Sequence, residues 1–253
     1  MRGCNFRCPY CYNTELVEPS GGNQSQAQKS GDCNCLQAQE SGAQANRDNP
    51  QFVSIQDVIA HLKKRAAVLS GFVISGGEPL CQPDIVRDLI LEARSLGYKI
   101  KLDTNGAFPD RLQELLSDPA CAPDYVALDV KTAPARYSEL LVQDAAGVKA
   151  FQDLNAGRRN LAAQKIIESI KIVSAMPADA REFRTVLYPP LVSESEINKI
   201  ASLLPKDARW YFAHFLNGHC LNPEAEKIVP YDEKTEAGLV ELARAKIPGA
   251  IIR

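Results

Sequence analysis

The sequence lacks an excess of basic residues. Against 29 Lys and Arg it sets 31 Asp and Glu, and the 253 residues carry a formal charge of -2. That balance gives no broad electrostatic reason for the chain to seek nucleic acid or an anionic membrane surface. No run of about 18 apolar residues occurs, so no stretch reads as a bilayer-spanning helix. No apolar stretch precedes Cys4, so no secretory signal is read there, and the cytoplasm is the expected compartment. A G-x-S-x-G elbow, a phosphate-binding P-loop and a dinucleotide fingerprint are all missing, which removes those routes to hydrolase, nucleotidase and nicotinamide chemistry. Large apolar side chains are scarce between residues 19 and 50, where Leu36 is the only one. Such a segment cannot bury enough surface to offset its ordering entropy. It is expected as a disordered insert, with Cys33 and Cys35 as exposed bystanders.

What is present is an alternating pattern, in a chain that is 45% apolar and so able to build a sizeable core. Apolar residues at helical spacing run through 54–69, with Ser54 as N-cap. Helices are also expected over 82–97, ending at Gly97, and over 110–118, 158–176, 193–204 and 232–246. Ser193 and Glu196 have the spacing of a capping box. Strands are expected at 71–75, 98–103, 124–130, 181–188 and 209–215. Five strands alternating with helices argue for a parallel sheet with crossover helices. Several strands end in polar or glycine-containing residues, SGGEP, DTNG and DVK. In a parallel barrel these ends share one face, where chemistry gathers.

Eight cysteines would suggest disulfides in a short secreted chain. At this length and without a leader, clustered thiols point to metal binding or catalysis. Cys4, Cys8 and Cys11 form C-x3-C-x2-C in the stretch CNFRCPYC. Structural zinc prefers four closed ligands, often as two C-x2-C pairs, and no convincing partner pair is present. A cubane iron–sulfur cluster places each of four irons on its own thiolate, so three thiolates leave one iron open to a ligand. Pro9 restrains the loop and Tyr10 adds an aromatic face. By contrast, His61 lies beside Lys63 and Lys64 on a solvated helix face. His219 and Cys220 read as loop residues, and Cys81 and Cys121 as small buried ones.

CNFRCPYC, followed by ISGGEPL at 74–80, resembles the paired motifs of the radical S-adenosylmethionine (SAM) superfamily. KLDTNG (101–106), ALDVK (127–131) and FRTVLYP (183–189) are similar to strand ends of its glycyl-radical-enzyme activating group. RGCNFRCPYCYN, DYVALDVKT and WYFAHFLNGHCLN look most like the activating proteins of anaerobic ribonucleoside-triphosphate reductase. The resemblance covers nearly all of the chain except 19–50 and about 142–160. It implies one radical SAM domain over 1–253, with an α/β fold, a partial (β/α)6 barrel. It implies a [4Fe–4S] cluster on Cys4, Cys8 and Cys11. Tyr10 is then placed near the adenine of SAM, and Gly76, Gly77 and Glu78 around its amino group. Asp103, Thr104, Asp129 and Lys131 surround the methionine moiety, where the carboxylates are also able to hold a monovalent cation. Arg184 pairs with the methionine carboxylate, and His214 is directed to the ribose.

Blander readings stand beside these roles. GGEP alone is a turn, Asp103 a turn cap, Asp129 with Lys131 a surface ion pair, and Arg184 a solvated strand residue. The implied activity is reductive cleavage of SAM and hydrogen abstraction from a glycine of a partner protein, the anaerobic reductase. Electrons would come from a donor such as flavodoxin or ferredoxin. Alternatives are an activase of formate-lyase type, an enzyme resembling 7-carboxy-7-deazaguanine synthase, and a metal-binding scaffold without activity. DVK and the FRTVLYP strand count against the synthase. Only Met1, Arg2 and Gly3 precede Cys4, too few for a strand of about 5–6 residues. The first barrel strand is therefore expected to be missing, which would leave an unpaired edge at 71–75 or its neighbour.

Overall fold

A computed structural model of the chain describes residues 1–17, 53–140 and 156–253, with the backbone alone for 156–160. The expected insert at 19–50 lies outside the described residues.

Six strands make one sheet: β1 (Gly71–Ile74), β2 (Lys99–Thr104), β3 (Tyr125–Asp129), β4 (Arg181–Val186), β5 (Trp210–Ala213) and β6 (Ala250–Ile252). All neighbours pair in parallel, in the order β1-β2-β3-β4-β5-β6. Spatial order follows chain order because each strand is returned to its neighbour by a crossover. The helices are α1 (Thr14–Val17), α2 (Ile55–Arg65), α3 (Pro83–Ser95), α4 (Pro109–Ser117), α5 (Ala156–Ser174), α6 (Glu194–Ala201) and α7 (Glu233–Arg244). The parallel α/β class expected from the alternation is what forms.

Local chemistry sets the helix ends. Ser54 accepts from the Asp57 N–H at 3.1 Å and caps α2. α3 opens on Pro83 and closes through Gly97 at φ 84°, with Tyr98 N–H on Ala93 C=O at 3.1 Å and Gly97 N–H on Arg94 C=O at 2.9 Å. Only a residue that tolerates a left-handed backbone can stand at that position without strain. Ser193 and Glu196 form the expected capping box on α6.

Alternation sorts the strands' two faces. Ile100 and Leu102 of β2, Val126 and Leu128 of β3, Phe183 of β4 and Trp210 and Phe212 of β5 are buried in the main core. Among the intervening residues, Lys101, Asp103, Asp129 and Arg184 are only partly covered, whereas Ala127 and Glu182 are buried. The indole N–H of Trp210 donates to Thr185 Oγ1 at 3.0 Å, so the largest core side chain leaves no polar atom unmet.

The two edges of the sheet compare differently with the pattern in the sequence, β6 being unexpected and the edge at β1 expected. β6 was not expected, because three residues are too few for period-two alternation to stand out. It forms because β5 supplies an edge, with Trp210 opposite Ala250 and Phe212 opposite Ile252. β1 lies at the other edge, with β2 its only strand partner among the described residues. Met1–Gly3 runs beside the turn after β1 without being a strand. The Met1 ammonium donates to Ser75 O at 2.8 Å, Gly77 N–H to Met1 O at 2.9 Å, and Glu78 N–H to Gly3 O at 2.8 Å.

Candidate functional site

At the C-terminal ends of the strands, one cavity is lined by Cys4, Cys8, Tyr10 and Cys11 from the N-terminal loop. Gly76, Gly77 and Glu78 after β1 line it too, with Asp103, Thr104 and Asn105 at the end of β2, Asp129 and Lys131 after β3, and Arg184 of β4. Of the expected site residues, only His214 is outside this lining. A second cavity shares Asp129, Lys131 and Arg184 and continues past Thr185, Val186 and Ala213.

The cysteine loop is held from several sides. Cys4 N–H donates to Val17 O at 3.3 Å and Arg7 N–H to Leu140 O at 2.6 Å. Cys11 N–H closes a turn onto Cys8 O at 3.0 Å, with Pro9 inside it. The segment after β5 docks on the far side, with Leu221 N–H on Cys11 O and Asn222 N–H on Pro9 O, both at 3.0 Å. Tyr10 packs against Tyr188 with the rings tilted by 42° and their centroids 4.9 Å apart, and its buried hydroxyl has no hydrogen-bond partner. Burial raises the thiols of Cys4 and Cys8, the latter to about 12.

Gly76 and Gly77 are needed for close approach. A Cβ on Gly76, which sits at φ 142°, would strike the Met1 backbone, and one on Gly77 would strike the Gly3 carbonyl. Behind them Glu78 is fully buried. Its Oε1 accepts from Leu80 N–H at 3.1 Å and from Thr104 Oγ1 at 2.7 Å, and its Oε2 from Asn105 N–H at 2.6 Å. Burial raises its pKa to about 7 against those three donors. A carboxylate offers about four acceptor positions, so three donors leave one free.

Four side chains form a charged group at the ends of β2, β3 and β4. Arg184 Nε is 2.8 Å from Asp129 Oδ1, and Arg184 Nη1 is 3.1 Å from Asp103 Oδ2. Lys131 Nζ is 3.0 Å from Asp129 Oδ2. Strand register causes the arrangement: Asp129 stands directly opposite Arg184, and Asp103 faces Ala127 two residues earlier on β3. Burial would raise Asp129, but Lys131 and Arg184 outweigh it and hold the carboxyl below its ordinary value. Burial would lower Lys131, and Asp129 reverses that. Asp103 Oδ1 is buried without a hydrogen bond, 3.6 Å from Lys101 Nζ.

The comparisons with known proteins agree with this geometry. The family described as the radical SAM superfamily matches residues 1–201. The chain belongs to the radical SAM superfamily. It is 26% identical to a candidate glycyl-radical enzyme activating enzyme of Methanocaldococcus jannaschii, over 100% of this chain and 86% of that protein. It is 32% identical to a 7-carboxy-7-deazaguanine synthase of Methanopyrus kandleri over 51% of this chain and 46% of the synthase. It is 28% identical to a pyruvate formate-lyase-activating enzyme of Clostridium pasteurianum over 52% of this chain and 43% of that enzyme. The chain thus spans about half the length of the last two.

The site fits what a radical SAM protein must hold. Among the described residues no three His, Cys, Asp or Glu side chains close on a single metal ion. A cubane does not require that, because each thiolate takes a different iron. Cys4, Cys8 and Cys11 stand around one cavity, and cluster iron would hold them as thiolates. The Tyr10 hydroxyl and Asp103 Oδ1 are buried without a hydrogen bond in the same lining.

His214 is placed differently. Its Nδ1 is 2.6 Å from Glu236 Oε2 on α7, and its side chain is half exposed. Cys81, Cys121 and Cys220 are buried free thiols, and Cys33 and Cys35 lie outside the described residues. Asn105 was missed by sequence reasoning. Its place directly after Thr104 in DTNG was the available signal.

Proposed function

We propose that this radical SAM chain is an activating enzyme that generates a glycyl radical on a partner protein, and that the partner is an anaerobic ribonucleoside-triphosphate reductase. The observation that carries the reading is the convergence of three thiols, the GGE turn and the Asp103–Arg184–Asp129–Lys131 group on one cavity. The relative from M. jannaschii, matched along this whole chain, supports the activating class. The stretches DYVALDVKT, EFRTVLYP and WYFAHFLNGHCLN support the reductase as target.

When bound, a [4Fe–4S] cluster with SAM at its open iron supplies one-electron cleavage of the sulfonium and removal of a hydrogen atom from a glycine Cα. The chain's residues bind and orient. Cys4, Cys8 and Cys11 hold the cluster. Tyr10, backed by Tyr188, offers its face and hydroxyl toward the adenine. Gly76, Gly77 and the spare acceptor position of Glu78 take the amino group. Asp103, Thr104, Asp129 and Lys131 surround the methionine, with the aspartates also suited to a monovalent cation. Arg184 pairs with the carboxylate, and His214 serves the ribose once released from Glu236. A flavodoxin or ferredoxin is the electron donor, and the cytoplasm the compartment. Residues 1–253 form one domain with 19–50 inserted.

The test is anaerobic reconstitution with iron and sulfide, then reduction with SAM and the reductase. The expected results are 5′-deoxyadenosine and a glycyl-radical signal in electron paramagnetic resonance. SAM left intact overturns the reading. The similarity to a 7-carboxy-7-deazaguanine synthase favours a second reading, which formation of 7-carboxy-7-deazaguanine instead of a protein radical would establish.

A further inference from the structure

Asn105 touches both halves of the site, and none of the assigned roles uses it. Its side-chain orientation is settled from the acceptor end: Oδ1 accepts from Ala107 N–H at 3.0 Å, so Nδ2 must face the cysteine loop. One Nδ2 proton goes to Asn5 Oδ1 at 2.9 Å, and the other to Cys4 Sγ at 3.8 Å. The Cys4 sulfur also receives Phe6 N–H at 3.5 Å. At the opposite end, the Asn105 backbone N–H donates to Glu78 Oε2 at 2.6 Å. The residue is 4% exposed, so these bonds are made away from bulk water.

We propose that Asn105 is a positioning residue that donates to the Cys4 thiolate, raises the reduction potential of the bound cluster, and locks the cluster loop to the turn carrying Glu78. This rests on the cluster reading above. A donor on a ligand sulfur draws electron density from it, which favours the reduced cluster and its additional negative charge. Bonds from buried donors have more effect than bonds shared with water.

The experiment compares the full-length protein with Asn105→Ala, Asn105→Asp and Asn5→Ala after anaerobic reconstitution. Iron and sulfide content are measured, and the midpoint potential is followed by absorbance and electron paramagnetic resonance. Asn105→Ala is expected to load its cluster and to disfavour reduction about threefold to tenfold, the tenfold limit being about 59 mV for a one-electron couple. Asn105→Asp, similar in size with no amide donor, falls further. Asn5→Ala breaks only the tie to the loop and keeps the wild-type potential. Equal potentials in the wild type and both Asn105 variants overturn the inference. So does failure of both Asn105 variants to fold, which would make the residue part of the scaffold alone. A wild-type protein that takes up no iron and sulfide overturns the cluster reading instead.

Discussion

Arg184 is held by two aspartates at once, through Nε and Nη1. A planar guanidinium can make both bonds with its fork fixed, whereas a lysine ammonium cannot reproduce that geometry. Arg184→Lys is expected to weaken SAM binding to the reconstituted protein about tenfold or more. Isothermal titration checks this, and an unchanged affinity would remove Arg184 from the ligand site. Glu78 makes a pH prediction for the metal-free protein. Its folded value, about 7, lies above its ordinary 4.5 because burial favours the neutral acid. Below 4.5 the group is protonated in both folded and unfolded chains. Between 4.5 and about 7 only the folded chain keeps the proton, so this contribution to stability is lost as pH rises through that window. At about 1.36 kcal/mol per unit the loss approaches about 3 kcal/mol. Urea unfolding of wild type and Glu78→Gln at pH 4.5 and 8 reads it: the gap between the two proteins should change across the window, and a constant gap would refute the assignment.

The element that decides the site's shape is the short segment Met1–Gly3 lying against the GGE turn. It has no periodicity, yet it is bound to the turn by backbone hydrogen bonds and continues directly into Cys4. Gly77 makes the contact possible, since a Cβ there would collide with the Gly3 carbonyl and stand 2.8 Å from Leu16 O. Gly77→Ala should therefore push the cysteine loop away, at a cost of about 1–3 kcal/mol. Thermal unfolding together with iron content after reconstitution tests this. Full stability with full loading would mean the two segments are not tightly apposed. The helix ends, by contrast, were legible in the sequence. Ser54, Ser193 and Gly97 act through neighbours within a few positions, so a local pattern is enough to find them.

Across the whole molecule, the partly covered face of the sheet carries a chain of alternating charge that ends in the site. Arg253 Nη2 is 3.2 Å from Glu182 Oε2, and Lys101 Nζ is 3.0 Å from Glu182 Oε1. Lys101 leads on to Asp103, Arg184, Asp129 and Lys131. Tyr125 donates to Glu182 at 3.0 Å, and Arg253 lies over the Tyr211 ring at 3.3 Å. Glu182 is the anchor, with a side chain 3% exposed against 29% for Lys101 and 51% for Arg253. Burial raises its carboxyl, yet Lys101, Tyr125 and Arg253 together hold it below its ordinary value. Glu182→Ala should destabilise the fold by about 2 kcal/mol, less than a fully buried pair because its partners reach water. Pairing it with Lys101→Met should recover much of the loss in denaturant unfolding. Additive losses would mean that Lys101 and Glu182 do not act as a pair.

Residue order alone determined the alternation of strands and helices, the helix caps and the triple-thiol loop, because each depends on neighbours a few positions apart. It also placed Asp103 and Asp129 at strand ends and Arg184 within a strand. Tertiary structure decided which of them meet. Arg184 reaches Asp103 across 81 residues, and Asn105 reaches Cys4 across 101. It also decided that His214 turns to Glu236, and that three residues at the C-terminus become a strand. The physical reason is that period-two alternation assigns a side chain to a face of its own strand, while the register between strands fixes its partner. That register comes from packing the whole sheet against its helices, which no local pattern contains.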